Sequence, residues 1–145
     1  MQEPEKTLKE LLENQWTLKN PLGTRDIAFR IEEPENPAER FKSQPVSIEV
    51  CGLANATRQK SDARTIFNEI ISIHVWQHVN AADKNRSIAE RQQLIDHIRT
   101  IIKTARKTAT DIKYMRFAGD RKISGFNQEP PFLHTVIDII CLYWA

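Results

Sequence analysis

Recognisable chemistry is what this chain lacks most. It contains no GxxxxGK(S/T), no GxGxxG and no GxSxG, so phosphate-cradling loops and the elbow of an esterase nucleophile have no counterpart in it. It has two cysteines, Cys51 and Cys141, both in apolar, strand-like surroundings where a thiol behaves as a small hydrophobe. They read as reduced thiols in a reducing compartment, with a single bridge between them as the less favoured alternative. Neither sign of charge dominates: 21 Lys and Arg against 19 Asp and Glu leave +2, too little to argue for a nucleic acid or a membrane as partner. There is no run of about 18 apolar residues and no apolar stretch behind the charged start MQEPEKTLKELLENQW, which predicts neither a membrane span nor a secretion signal. Repeats and low-complexity tracts are missing too. A chain of 145 residues with 40% hydrophobic content suits one domain, 1–145, that buries its own core without metal or disulfide support.

What the chain does have is two long β-type runs, Thr65 to Val79 and Phe132 to Trp144, with one amphipathic helix between them. In the first, Phe67, Ile71, Ile73, Val75 and Val79 alternate with Asn68, Ser72, His74 and His78, the pattern of a strand with one buried face. Ile70 and Trp76 interrupt the polar side. The second run is apolar on both faces: Leu133, Ile137, Ile139, Cys141 and Tyr143 alternate with Val136, Ile140, Leu142 and Trp144. Such a strand needs burial on both sides, and a helix layer supplies only one, which predicts another layer or another subunit on the second face.

The remaining segments fill in the order. Leu8, Leu11, Leu12 and Trp16 at helical spacing predict a short docking helix from Pro4, with Glu5 near its start where the helix dipole favours acids. Ile27, Phe29 and Ile31 predict a first strand, and Val46, Ile48 and Val50 a second, ending near Gly52. Between them Pro34, Pro37 and Pro45 withhold N–H donors, so Glu33 to Pro45 reads as an irregular excursion. LANATRQKSDART reads as a long hairpin loop. Ser87 and Glu90, in capping-box spacing, predict the start of the long helix, and Ile88, Leu94, Ile95, Ile98, Ile101, Ile102 and Ala105 its buried stripe. Ile112 to Phe117 predicts a strand joined by the loop AGDRKISGFNQEPP to the terminal run. The expected architecture is α+β: a mainly antiparallel sheet of about five strands, order α-β-β-β-α-β-β, with helices packed on one face.

His74 and His78 have HxxxH spacing, which on a helix would suit zinc; on a strand they lie roughly 13 Å apart, too far for one ion, so no metal and no cofactor is expected. His97 on the long helix and His134 on the last strand have no evident partner, and a cysteine nucleophile would require an accessible, electropositive thiol. No enzymatic activity is therefore expected. Arg58, Lys60 and Arg64 form one basic cluster and Lys113, Arg116, Arg121 and Lys122 another; beside Tyr114, Phe117 and Trp76 they leave open a small single-stranded nucleic-acid-binding module. Trp76 and Trp144 also have the character of interface anchors, with burial under the long loops or the N-terminal helix as the equally weighted alternative.

The succession KTLKELLEN, a strand and long loop, IFNEIISIHVWQHV, SIAERQQLIDHIRTIIK, and a final pair of strands around GDRKISGFNQEPP and FLHTVIDIICLYW resembles the tail terminator proteins of long-tailed phages and related viruses, also described as minor tail or tail-to-head joining proteins. The resemblance spans most of residues 5–145 and lies in architecture more than in motifs. It implies a structural virion protein assembled in the host cytoplasm and located at the tail or neck. It implies a ring, a hexamer in that family, that caps the tail tube and docks to a head-completion or connector protein, with DNA only passing through its lumen. Contact candidates on that basis are Trp76, His74, His78, Tyr143 and Trp144, with the loops around Arg58, Lys60 and Arg64 and around Arg121 and Lys122 facing tube, connector or lumen.

Overall fold

The computed structural model describes residues 4–18, 26–42, 44–52, 57–60, 65–79, 84–105 and 112–144; of strand residues 57–60, 65–69, 112–114 and 142–144 it describes the backbone alone. The elements are α1 (Pro4–Gln15), β1 (Ile27–Ile31), a short 3-10 turn (Pro37–Glu39), β2 (Val46–Gly52), β3 (Thr57–Lys60), β4 (Thr65–His78), α2 (Lys84–Ala105), β5 (Ile112–Gly125) and β6 (Phe132–Trp144). The sheet runs β1-β2-β4-β6-β5, with β3 paired to the end of β4 that β2 leaves free. The fold is α+β and the sheet mainly antiparallel, the exception being the parallel pair β1–β2.

Period-two alternation makes one face of this sheet continuous. Val46, Ile48 and Val50 lie in register with Gln77, Val75 and Ile73 of β4, and Ile71, Ile73 and Val75 with Ile139, Ile137 and Thr135 of β6. The apolar ones among these are buried in one cluster with Leu8 and Leu12 of α1, Trp16 just beyond it, and Leu94, Ile95, Ile98, Ile101 and Ile102 of α2. Burying an aliphatic side chain of this size contributes roughly 1.5–3 kcal/mol, so a stripe of this length is what fixes each helix to the sheet.

Several local expectations are corrected. The helix α2 begins at Lys84, three residues before Ser87, so Ser87 is no N-cap. It lies seven and eleven residues before Leu94 and Ile98, in phase with the apolar stripe, and is buried there; its carbonyl accepts a hydrogen bond from Gln77 Nε2. Glu90 pairs with Arg86, and Ile88, one step out of phase, is exposed. The expected hairpin loop contains the extra strand β3. Its TRQK sequence has no apolar alternation to announce it, and its backbone continues the line of β2 along β4. Strand β5 extends through Gly125, well past Phe117, because a register shift after Phe117 absorbs Ala118 as a bulge next to Gly119, whose φ of 157° suits a residue without a side chain. Arg121 and Lys122 consequently lie on a strand and not in a loop, as do Arg58 and Lys60.

The segment after β1 is the crossover that a parallel pair requires. Strands β1 and β2 lie side by side pointing the same way, so the chain from Glu32 to Pro45 must travel back over the sheet before pairing again. Asn36 starts the 3-10 turn by accepting a hydrogen bond from the Ala38 N–H, with Pro37 following it, where the missing donor has no consequence. Arg40 directly follows this turn and is buried.

Candidate functional site

The second face of the sheet holds the polar chemistry. Register places Ser47, Trp76, His134 and Ile123 in one row across β2, β4, β6 and β5, then Glu49, His74, Val136 and Arg121, then Cys51, Ser72, Asp138 and Gly119. A fourth row, Ile70, Ile140 and Arg116, lies toward the β3 end.

Glu49 is completely buried, and Arg40 is 6% exposed above it. The guanidinium meets the carboxylate through two bonds, Nε to Oε2 at 2.6 Å and Nη2 to Oε1 at 2.9 Å, and Ser47 Oγ donates a third at 2.7 Å. Arg30 of β1 in turn donates to Ser47 Oγ at 2.8 Å. A buried pair of this kind is tolerable only when both partners are fully engaged, and this carboxylate is. The same guanidinium lies 4.0 Å from the centre of the Trp76 ring, whose other side stacks on His134 with centroids 3.6 Å apart and planes 10° from parallel. Trp76 is thus sandwiched between an arginine and a histidine of its own chain.

His134 and His74 meet at 2.8 Å through Nε2 and Nδ1, one nitrogen donating and the other accepting. Their pairing is invisible in the sequence because it joins residues 60 apart on diagonal positions of β4 and β6. Burial pushes the His134 imidazole down to about 4, with His74, Arg40 and Arg121 acting in the same direction. His74 is lowered as well, chiefly by burial, against the opposing pull of Glu49 and Glu33. At neutral pH the pair is two uncharged rings whose facing nitrogens satisfy each other. Further along, Ser72 Oγ donates to Asp138 at 2.6 Å, and Arg121 reaches the same carboxylate at 3.5 Å.

This arrangement is a clamp. It anchors the crossover to β2, β4 and β6 and engages both oxygens of the Glu49 carboxylate. Among the described residues no group of three His, Cys, Asp or Glu side chains converges as metal ligands do. Cys51 and Cys141 form no disulfide; alternation sets them on opposite faces of the sheet, and burial with Glu32 and Glu49 nearby raises the Cys51 thiol to about 12.

The contact candidates therefore fall apart into groups. Trp76 and His74 belong to the clamp. His78 is exposed beyond it, edge-on to Phe41 with centroids 5.6 Å apart, beside an open concavity of about 570 Å³ that Lys42, Gln44, Pro45 and Pro130 also line. Arg121 and Lys122 are exposed on β5. Arg58, Lys60, Tyr143 and Trp144 have described backbone only, and the side chains of these four, like Arg64 entirely, lie outside the described residues. His97 sits edge-on to Trp16 and accepts the Thr17 N–H at 3.1 Å, a satisfied half-buried histidine. The nucleic-acid reading loses its central stacking group, because both faces of Trp76 are occupied by Arg40 and His134.

The clamp also answers the expectation that the second face of the last strand needs a separate cover. His134 and Val136 are buried by the chain itself, through Trp76 and the crossover, so that half needs no partner. Beyond it the face opens: Ile70 is 38% exposed and Ile140 half-buried. Comparison with protein-family models and with curated proteins finds no match for this chain.

Proposed function

We propose that this chain is a structural assembly subunit of the tail-terminator type, a ring-forming protein that caps a tail tube and receives the head connector. The observation that supports this reading most directly is an incompletely closed sheet. Its helix-covered face is packed with aliphatic residues, while on the other face the row of Ile70 and Ile140 is partly exposed, and among the described residues the outer strands β1 and β5 each pair on one side only. A finished monomer has no use for such surface, whereas a subunit that must add to copies of itself does. The function is then one of binding geometry, with no bond made or broken.

Sedimentation velocity over a concentration series, followed by imaging of the largest species, tests the reading. Rings that form alone or on addition of a tail tube protein support it. A monomer under all these conditions, or a salt-sensitive complex with single-stranded DNA in the absence of self-association, would overturn it.

A further inference from the structure

The facing nitrogens of His74 and His134, 2.8 Å apart, have room for one proton between them. From this, and from what rests on His134, we infer that the pair is an acid-sensitive latch: it holds the crossover closed over Trp76, and once both rings are protonated it lets the crossover open while the sheet stays formed. The latch depends on the clamp alone and stands whether or not the chain forms rings.

Counting protons makes it a threshold device. In the uncharged pair one proton lies between the rings and the other sits on the outer nitrogen of one of them. A first added proton goes to the remaining outer nitrogen and leaves the shared bond in place. A second puts an N–H on each facing nitrogen, where neither can accept, and the rings must part. The surroundings set the order. Burial opposes charge on both rings; beyond it, Glu49 of β2, Glu33 of the crossover and Asp138 of β6 draw a proton to His74 against Arg121 of β5, whereas His74, Arg40 of the crossover and Arg121 all oppose one on His134. His74 therefore takes the first added proton and His134 the second.

His134 is also the ring that supports the cover. It stacks under Trp76 with centroids 3.6 Å apart, and Trp76 carries the Arg40 guanidinium 4.0 Å from its centre on the other side. A charged His134 beside a charged His74, one ring away from Arg40, leaves that stack for water, and Trp76 loses its support. The crossover is tied at its ends, where the Glu32 N–H donates to the Val50 carbonyl and the Pro45 carbonyl accepts from the His78 N–H. Between those ends, among the described residues, it is fixed by Arg40 on Glu49 and by Phe41 against the His78 ring. The ion pair holds firmly because it is dry; once the stack opens and water reaches it, it holds little. The cluster under the helices on the opposite face is apolar and takes up no proton in this range, so acid loosens one face of the sheet and not the other.

Two side-chain N–H groups report the latch. Trp76 Nε1 is buried without a hydrogen-bond partner, so cover alone slows its exchange with solvent, and Arg40 Nε donates to Glu49. Burial holds His134 down to about 4 in the closed form against an ordinary value near 6.5, so the open form takes the proton first and acid favours opening. Nuclear magnetic resonance of the unaltered chain, with each rate corrected for intrinsic exchange, is expected to show the protection of both groups falling about tenfold or more between about pH 7 and about pH 4.5, while the backbone amides of 71–75 and 135–139 keep theirs. In His134→Gln and in His74→Gln the second added proton has no ring to take it, and the fall is expected to shrink below about threefold. Loss of protection at the indole and the strand amides together, protection of the indole kept down to about pH 4, or an undiminished fall in either variant would overturn the latch.

Discussion

On the helix side of the sheet, Ile48, Ile71, Ile73, Ile137 and Ile139 are buried against Leu94, Ile98 and Ile102; on the other side, Ser47, Glu49, Trp76 and His134 are covered by one arginine from the crossover. The aliphatic side is a sum of small and similar contributions, each replaceable by a residue of comparable volume. The polar side is a set of mutual obligations, in which Arg40 makes Glu49 tolerable, Glu49 fixes Arg40, and Arg40 closes the sandwich over Trp76 and His134. The difference teaches that equal burial does not mean equal robustness.

Single substitutions separate the two sides most sharply. Glu49→Ala strands Arg40 in a buried site and is expected to cost about 3–5 kcal/mol in urea denaturation. Ile73→Ala on the aliphatic side is expected to cost about 2–5 kcal/mol, but Ile73→Val only about 0.5–1.5, a gradation the ion pair does not have. Acid offers a subtler probe. His134 is held down to about 4 in the folded protein against an ordinary value near 6.5, so its contribution to stability is complete above about 6.5 and is lost as pH falls toward 4, where the unfolded chain takes up the proton first. The urea midpoint is expected to decline across that window, and less steeply in His134→Gln. The comparison would break if the double variant Arg40→Met with Glu49→Leu proved as damaging as Glu49→Ala; replacing both partners is expected to shift stability by less than about 2 kcal/mol in either direction. Smallest of all is Arg121→Ala, which removes an exposed contact to Asp138 and is expected to change stability by about 0–1 kcal/mol.

The helix side was legible in the sequence because its signals are periodic. Spacings of two in β4 and about 3.6 in α1 and α2 point the same residues inward whatever the rest of the chain does. Strand β3 and the second half of β5 were not legible, since TRQK and GDRKISG have no alternation and owe their extension to hydrogen bonds with β4 and β6. The clamp was hidden for another reason. Glu49, between Ile48 and Val50, has the pattern of a solvent-facing position, and only the crossover that brings Arg40 back over β2 turns it into a buried one. Trp76 on an otherwise polar strand face is the one residue that announces something there, but whether it anchors an interface or lies under a loop stays open in the sequence, because its covering arginine lies in a proline-interrupted stretch with no period to read. His74 has no partner legible in the sequence, and His134 is found only through the register of β4 with β6.

That register has a consequence for how the domain comes into being. Strand β4 has its longest pairing with β6, and the contacts between them join residues as far apart as Ser72 and Asp138, 66 positions along the chain. Closing so wide a loop precedes any return from the pairs inside it, which makes this pairing a late and slow step compared with forming either helix. On the ribosome β4 emerges after β2 and β3, which pair with one of its edges, while its other edge waits through the whole of α2 and β5 for β6. The alternation of Asn68, Ser72, His74 and His78 along one side of that strand then has a second use, keeping a half-paired β-prone segment in water until β6 arrives.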